Sequence, residues 1–258
     1  MKTEILTHLP PAHPWGQSLY WYDQTVSTNT TAKQMATEGA PHGTVIVADS
    51  QSGGRGRLGR SFCSPAGQGI YMSVILRPGC PPAQLMHLTC AVGVAACDAI
   101  EETLGFRPGI KWINDLVAHN KKLGGILTEL SISPAGMVDY AVVGIGINLL
   151  KQEFPDDVKA IATTVEDECG KVIDVNELTA LIVKEFFENL NLVGTHGLAE
   201  EYRSRSFLVG KRVNVIKPTV TYEALVKDIT DKCELVLELP DGTGEILSTG
   251  EVSVREMK

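Results

Sequence analysis

The sequence predicts an α+β fold, a mixed β-sheet with packed helices followed by a small all-β barrel. Three observations carry this reading. Residues 19–148 hold several β-branched or alternating apolar runs, and helical stripes lie between and after them. Beyond Val209-Gly210 the texture changes to short strand runs with Pro218 and Asp241-Gly242 as turn signals, and no helical stripe. The length of 258 residues suits one large core plus a small appended unit, which divides the chain into 1–208 and 209–258.

The elements follow in order. Residues 1–18 are rich in proline and histidine and read as an irregular lead-in. Leu19 to Tyr22 reads as a strand. A helix then starts at Ser27 or Thr28 as N-cap, buries Ala32, Met35 and Ala36, and stops at Gly39. Gly43 to Ala48 is a β-branched strand, residues 50–69 a long Gly/Ser/Arg segment, and Ile70 to Leu76 an alternating strand. Pro81 to Leu104 is helical, with Leu85, Leu88, Val92, Ala95, Ala99 and Leu104 on one stripe. Ile110–Ile113 and Leu116–Ala118 are strands, and His119-Asn120-Lys121 turns tightly into a strand from Leu123 to Ser133. Met137 to Asn148 is the longest strand, and it could pair across a two-fold axis to make a homodimer or equally be a buried edge. Asp174-x-x-Glu177 opens a helix carrying Leu178, Leu181, Ile182, Phe186 and Leu190. A second helix covers Gly197 to Arg205.

Composition excludes several classes. No apolar run reaches the ~18 residues of a membrane span, and the first residues lack the apolar core of an export signal. The six cysteines form no C-x-x-C pair and read as reduced thiols in a cytoplasm. The six histidines show no zinc-ligand spacing. The net charge is −8, which is wrong for a general nucleic-acid binder. Yet three of the nine arginines, Arg55, Arg57 and Arg60, fall within six residues among glycines.

Five segments could carry chemistry. In Gly53-Gly54-Arg55-Gly56-Arg57-Leu58-Gly59-Arg60 the glycines let backbone N–H groups approach a ligand, and the arginines offer forked donors to phosphate or carboxylate. Such a loop is costly to order and is expected to close on its ligand. A solvated loop or an RG-type nucleic-acid segment explains the same residues. Lys111-Trp112-Ile113-Asn114-Asp115-Leu116 could orient a nucleotide, or be a turn built on Asn-Asp. In Lys121-Lys122-Leu123-Gly124-Gly125 a lysine adjoins glycines at the head of a strand, which suits an anion clamp or a charged hairpin tip. Gly144 and Gly146 lie on one strand face and clear a slot for a flat ligand, or mark a bulge. Ser27-Thr28-Asn29 could meet a polar head group, or simply cap a helix.

Taken together and in this order, these segments resemble the biotin protein ligases, over roughly residues 19–258. The resemblance implies a biotin/lipoate ligase-like catalytic domain and an SH3-like C-terminal barrel, bordered by Gly210-Lys211-Arg212-Val213 and Gly250-Glu251-Val252-Ser253-Val254. It implies that ATP, with Mg²⁺, activates biotin as biotinyl-5′-AMP, which then acylates one lysine of a biotin carboxyl carrier domain. Charge stabilisation falls to Lys122, Arg57 and Arg60, with no covalent enzyme nucleophile. Biotin is expected to meet Ser27, Thr28, Asn29, Gln51, Gly53, Arg55, Gly56, Arg57, Tyr71, Lys122, Gly125, Gly144 and Gly146. The nucleotide is expected to meet Arg55, Arg57, Arg60, Phe62, Lys111, Asn114, Lys122 and Asn148. Asp115 is structural or near the metal ion, whose ligands stay open.

Three departures stand out. Ile113 replaces the family's usual proline. Gly124 stands where a larger residue is common, which could loosen the pocket edge. Only 26 residues precede Ser27, too few for the helix-turn-helix domain of some relatives, so no specific DNA binding is expected. A lipoate or octanoate ligase or transferase is the competing enzyme class, and a nucleic-acid module using the Gly-Arg loop the competing non-enzyme.

Overall fold

The computed structural model describes residues 2–79, 81–82, 86–217, 219–248 and 253–256. Seven strands build the large sheet: β1 (Leu19–Thr25), β2 (Thr44–Gln51), β3 (Gly69–Leu76), β4 (Gly109–Lys111), β5 (Asp115–Ala118), β6 (Lys121–Ile132) and β7 (Val138–Asn148). Their order is β1-β2-β3-β7-β6-β5-β4. Only β1 and β2 run parallel, which needs a crossover connection rather than a tight turn, and a helix supplies it. The α+β expectation therefore holds, with a mixed sheet.

The crossover between β1 and β2 contains α2 (Thr28–Thr37), whose Ala32 and Ala36 pack on Ile46, Ile75 and Val142. The opposite face is covered by α3 (Met86–Leu104), α5 (Val175–Asn189) and α6 (His196–Ser204). With helices on both faces, all eight residues of β3 are buried, so its alternation has no polar side to display. Leu85, expected on the α3 stripe, lies outside the described residues. Asp174 caps α5 as expected, its Oδ1 accepting from the N–H groups of Asn176 and Glu177.

Two expectations need correction, and one element is added. The lead-in is not irregular: Lys2–His8 form α1 and Pro14–Ser18 a 3₁₀ turn, and Ile5, Leu9 and Trp15 are buried against the core. Seven residues before a Pro-Pro pair are too few for a helical stripe to register in the sequence. A further short helix, α4 (Val165–Cys169), is capped by Thr164 and closed by Gly170 at φ +66°. Finally, β7 is no free edge. It pairs with β3 over residues 141–148 and with β6 over 138–147, so edge-to-edge dimerisation through it lacks available backbone groups there.

The second sheet is antiparallel, with order β11-β10-β9-β8-β12. It comprises β8 (Arg212–Ile216), β9 (Thr221–Ile229), β10 (Leu235–Glu238), β11 (Gly244–Leu247) and β12 (Ser253–Glu256). Val213, Val215, Ala224, Val226, Leu235 and Leu237 are buried at alternate positions. Pro218 and Gly250-Glu251-Val252 lie outside the described residues. Side-chain contacts tie this unit to the larger one. The Trp112 indole N–H donates to Cys233 C=O (2.9 Å), Arg203 donates to Ile229 C=O, and His196 meets Asp231 (2.8 Å). Among the described residues no helix is long and apolar enough to cross a membrane.

Candidate active site

One cavity gathers most of the predicted residues. Its wall includes Ser27, Thr28 and Asn29 from the start of α2, Gln51 from the end of β2, and Arg55, Gly56, Arg57 and Phe62 from the Gly-Arg loop. Asn114, Lys122, Gly125, Gly144 and Gly146 complete it from the sheet. Ile126, Leu127 and Ile145 also line it. They were missed because apolar strand residues carry no chemical signature in a sequence.

The Gly-Arg loop is a closed hairpin. Arg55 and Ser61 form an antiparallel bridge, Gly56 N–H donates to Arg60 C=O (2.7 Å), and Phe62 N–H donates to Gly54 C=O (2.9 Å). Gly54 must be glycine here, because a Cβ would stand 2.4 Å from Phe62 C=O. At the tip, exposed Leu58 takes φ +57°.

Four side chains link this loop to the sheet. An Arg57 Nη donates to Asn114 Oδ1 (3.0 Å), Asn114 Nδ2 donates to Asp115 Oδ1 (3.2 Å), and Lys122 Nζ donates to the same oxygen (2.5 Å). Two cations thus end one network on a shared wall, with a carboxylate and an amide between them. Asp115 sits where it orients Lys122. Ammonium and carboxylate are each about a third exposed, so the pair is partly screened and its worth lies in positioning rather than stability. Lys122 lies across Gly125, where a Cβ would meet Nζ at 3.1 Å.

The other end of the cavity is polar and neutral. Thr28 N–H donates to Gln51 Oε1 (2.8 Å), and Gln51 Nε2 donates to Ser64 Oγ (2.8 Å). Asn29 is buried beside Ser73, whose Oγ lies 2.6 Å from Asn29 Oδ1. Glu129, paired with Lys33 at 2.7 Å, receives a bond from Asn29 Nδ2 (2.9 Å). Burial pushes the Glu129 carboxyl up, but the bonds from Lys33 and Asn29 outweigh it and hold it below the usual range. Ser64, Ser73, Glu129 and Lys33 were not read from the sequence, since only the fold brings them to this end.

The two slot glycines have different tenants. A Cβ at Gly144 would overlap Asn29 Oδ1 (1.9 Å), and one at Gly146 would strike the Phe62 ring (2.6 Å). Phe62 therefore lies in the slot, edge-on to Tyr71 with ring centroids 6.4 Å apart. The remaining cavity is about 50 Å³, far below the ~300–1,000 Å³ of ordinary small-molecule sites. In this arrangement Phe62 and the hairpin fill the slot that the glycines clear.

Five expected residues stand off the cavity wall. Gly53 is tied to Val26 C=O, and Arg60 is exposed at the hairpin's far side. Tyr71 is buried behind Phe62 and donates to Pro65 C=O (3.0 Å). Lys111 pairs with Asp115 across the β4–β5 hairpin, and Asn148 donates to Thr163 C=O (3.3 Å). Gly124 does not loosen the pocket edge. Its missing Cβ lets β6 approach β7, since a Cβ would stand 2.4 Å from Gly146 C=O. Where Ile113 departs from proline, the Trp112–Ile113 peptide is cis.

Comparison with known proteins gives this geometry its class. Residues 21–148 match the biotin/lipoate A/B protein ligase family, and residues 208–255 match the biotin protein ligase C terminal domain. The fold is thus that of the biotin and lipoate ligases. The bifunctional ligase/repressor BirA of Bacillus subtilis is 36% identical over 253 residues, covering 96% of this chain and 75% of that protein. The biotin–[acetyl-CoA-carboxylase] ligase of Mycobacterium tuberculosis is 32% identical, covering 89% of this chain and 86% of that one. The Aquifex aeolicus biotin protein ligase, solved with biotin and ATP, superposes with a TM-score of 0.81 at 29% identity, covering 93% and 100% of the two chains. The chain belongs to the biotin protein ligase family and is a ligase.

Proposed function

We propose that this enzyme joins biotin to one lysine of a biotin carboxyl carrier domain through biotinyl-5′-AMP, using MgATP. The observation that carries this is the Arg57–Asn114–Asp115–Lys122 network, which ends on the same wall as the polar Thr28–Gln51 end. An acid whose ring lies at Thr28 and Gln51 extends its carboxylate toward Lys122. That carboxylate attacks the α-phosphorus, the anhydride bond forms, and pyrophosphate leaves with the bond's electrons. Lys122 uses one donor on Asp115 and has two left for the carboxylate and the phosphoryl oxygens. Arg57, braced by Asn114, neutralises charge from the loop side, so both cations meet charge that grows in the transition state. In the second step the carrier lysine's amine attacks the acyl carbonyl and AMP leaves.

Among the described residues no group of three His, Cys, Asp or Glu could hold a metal ion. Mg²⁺ is proposed to enter with the nucleotide, whose phosphates bind it. Ser27, Asn29, Gly53, Tyr71, Gly125, Gly144 and Gly146 are assigned to shaping the biotin pocket. Arg55, Gly56, Arg60 and Phe62 are assigned to closing over the adenylate, and Lys111 and Asn148 to the nucleotide side. The catalytic unit is taken as 1–208 and the barrel as 209–258. The cytoplasm is the proposed compartment, supported by five free thiols among the described residues. No specific DNA binding is proposed.

Incubation with MgATP, a carrier domain and either biotin or lipoate tests this by intact mass. A biotinyl adduct is expected. A lipoyl adduct without a biotinyl one overturns the assignment.

A further inference from the structure

Lys122 stands at a part of β6 that the sheet alone holds loosely. β7 pairs with β6 from Gly124 to Ile132, and Lys122 lies outside that ladder. On the β5 side the register shifts between Leu116 and Val117, just where Val117 meets Lys122. An irregular strand head leaves the aim of its side chain to whatever lies alongside. Residues 161–163 lie alongside. Lys122 N–H donates to Ile161 C=O (2.7 Å) and Thr163 N–H donates to Lys122 C=O (2.9 Å), a parallel bridge centred on Ala162. Asp115 thus holds the ammonium end of Lys122, and this segment holds its backbone.

The bridge is short and needs support from outside itself. Thr163 supplies it. The residue is buried, its C=O accepts from Asn148 Nδ2 (3.3 Å), and its Oγ1 donates to Glu168 Oε1 on α4 (2.6 Å). The other Glu168 oxygen meets His119 Nδ1 (2.5 Å) at the turn between β5 and β6. Burial pushes the Glu168 carboxyl up, but the bonds from Thr163 and His119 outweigh it and hold it below the usual range. An ionised carboxylate only accepts, so the Thr163 hydrogen points at it. The Glu168 side chain is 12% exposed and that of His119 78%, so water screens the histidine bond and the threonine bond is the firmer one. The helix under Glu168 is itself fixed, capped by Thr164 and tied by Glu166 N–H to Leu149 C=O (2.9 Å).

We propose that Thr163 and Glu168 are positioning residues for adenylation, whose bond holds residues 161–163 against the head of β6 and thereby aims Lys122. This rests on the role given to Lys122 above and deepens it. Neither residue has to touch a substrate. Loosening their bond lets Lys122 drift from the point where charge grows, and a misplaced charge costs rate rather than ground-state binding.

The test is biotin-dependent pyrophosphate exchange in three variants. Thr163→Val removes the hydroxyl and keeps the shape, Thr163→Ser keeps the hydroxyl, and Glu168→Ala removes its acceptor. Calorimetric titration with biotin counts the intact sites in each. Thr163→Val and Glu168→Ala are expected to lower kcat by about tenfold to a hundredfold, with KM and stoichiometry for biotin unchanged. Thr163→Ser is expected to recover most of the rate. On a Lys122→Ala background the same substitutions are expected to cost less than about threefold, because the group they aim is gone. Wild-type rates in Thr163→Val and Glu168→Ala overturn the role. So does a loss matched by missing biotin sites, a Thr163→Ser as slow as Thr163→Val, or a loss that persists in full without Lys122. If Thr163→Val does not fold, Glu168→Ala decides alone, by its rate, its biotin sites and its dependence on Lys122. Wild-type protein without biotin-dependent exchange, or Lys122→Ala exchanging at the wild-type rate, overturns the underlying reading instead, and the positioning role falls with it.

Discussion

Lys122 comes to the shared wall from the sheet and Arg57 from the Gly-Arg loop, and they should fail differently when removed. Lys122→Ala deletes the charge-assisted donor proposed for the carboxylate–phosphate junction, which is worth about 2–4 kcal/mol in comparable sites. Biotin-dependent pyrophosphate exchange should fall by roughly thirtyfold to a thousandfold, and a wild-type exchange rate would remove Lys122 from the chemistry. Arg57→Gly cuts the hairpin loose from Asn114. Free biotinyl-AMP should then appear in solution when no carrier is present, and adenylate release equal to wild type would contradict the clamp. Glu129 adds a pH signature. Its folded value lies below its ordinary one, so its contribution to stability is present above about pH 4.3 and is lost as pH falls through the lower folded value. Urea titrations should therefore show Glu129→Gln less stable than wild type at pH 7, with the gap closing below about pH 4. At this scale the residue types were legible because the five segments occur together and in one order, although each alone has an ordinary structural reading. Their division into ligand contacts and supports was not. Asn29 reads as a contact, yet Ser73, Leu127 and Glu129 take up its amide.

Among the elements, the strands were the easiest to read, because β-branched runs and glycine punctuation mark them locally. β7 was assigned its length correctly and its place incompletely, since pairing partners are set by sheet order and not by the strand's own residues. The first helix escaped notice because its stabilisation comes from Ile5 sitting on a core built by residues far along the chain. The β6–β7 contact gives a direct test. Gly124→Ala puts a methyl 2.4 Å from the Gly146 carbonyl, and neither backbone can move without disturbing the slot. Equilibrium unfolding should show a loss of about 1–3 kcal/mol. A neutral result would mean that the strands separate more easily than their register suggests.

At the scale of the molecule, the small barrel braces the site from below. The hairpin that carries Asn114 and Asp115 begins at Trp112, whose indole N–H reaches Cys233 C=O in the barrel, while the buried Tyr202 hydroxyl donates to Ile113 C=O. Trp112→Phe keeps the aromatic bulk and orphans the Cys233 carbonyl, which should cost about 1–3 kcal/mol in urea denaturation. Stability within experimental error of wild type would show that the barrel docks without this bond.

By itself the sequence determined the class of fold, the strand-by-strand layout of residues 19–148, the change of texture near Val209, and the residue types for binding an acid and a nucleotide. These are local properties, written in periodicity and in the few side chains able to meet phosphate. Only the tertiary structure decided which of those residues share a wall, that Phe62 lies in the glycine slot, and that Ser73 and Glu129 bond to Asn29 at the polar end. Such facts depend on strands far apart in the chain lying a few ångströms apart in the sheet, and no local pattern encodes that distance.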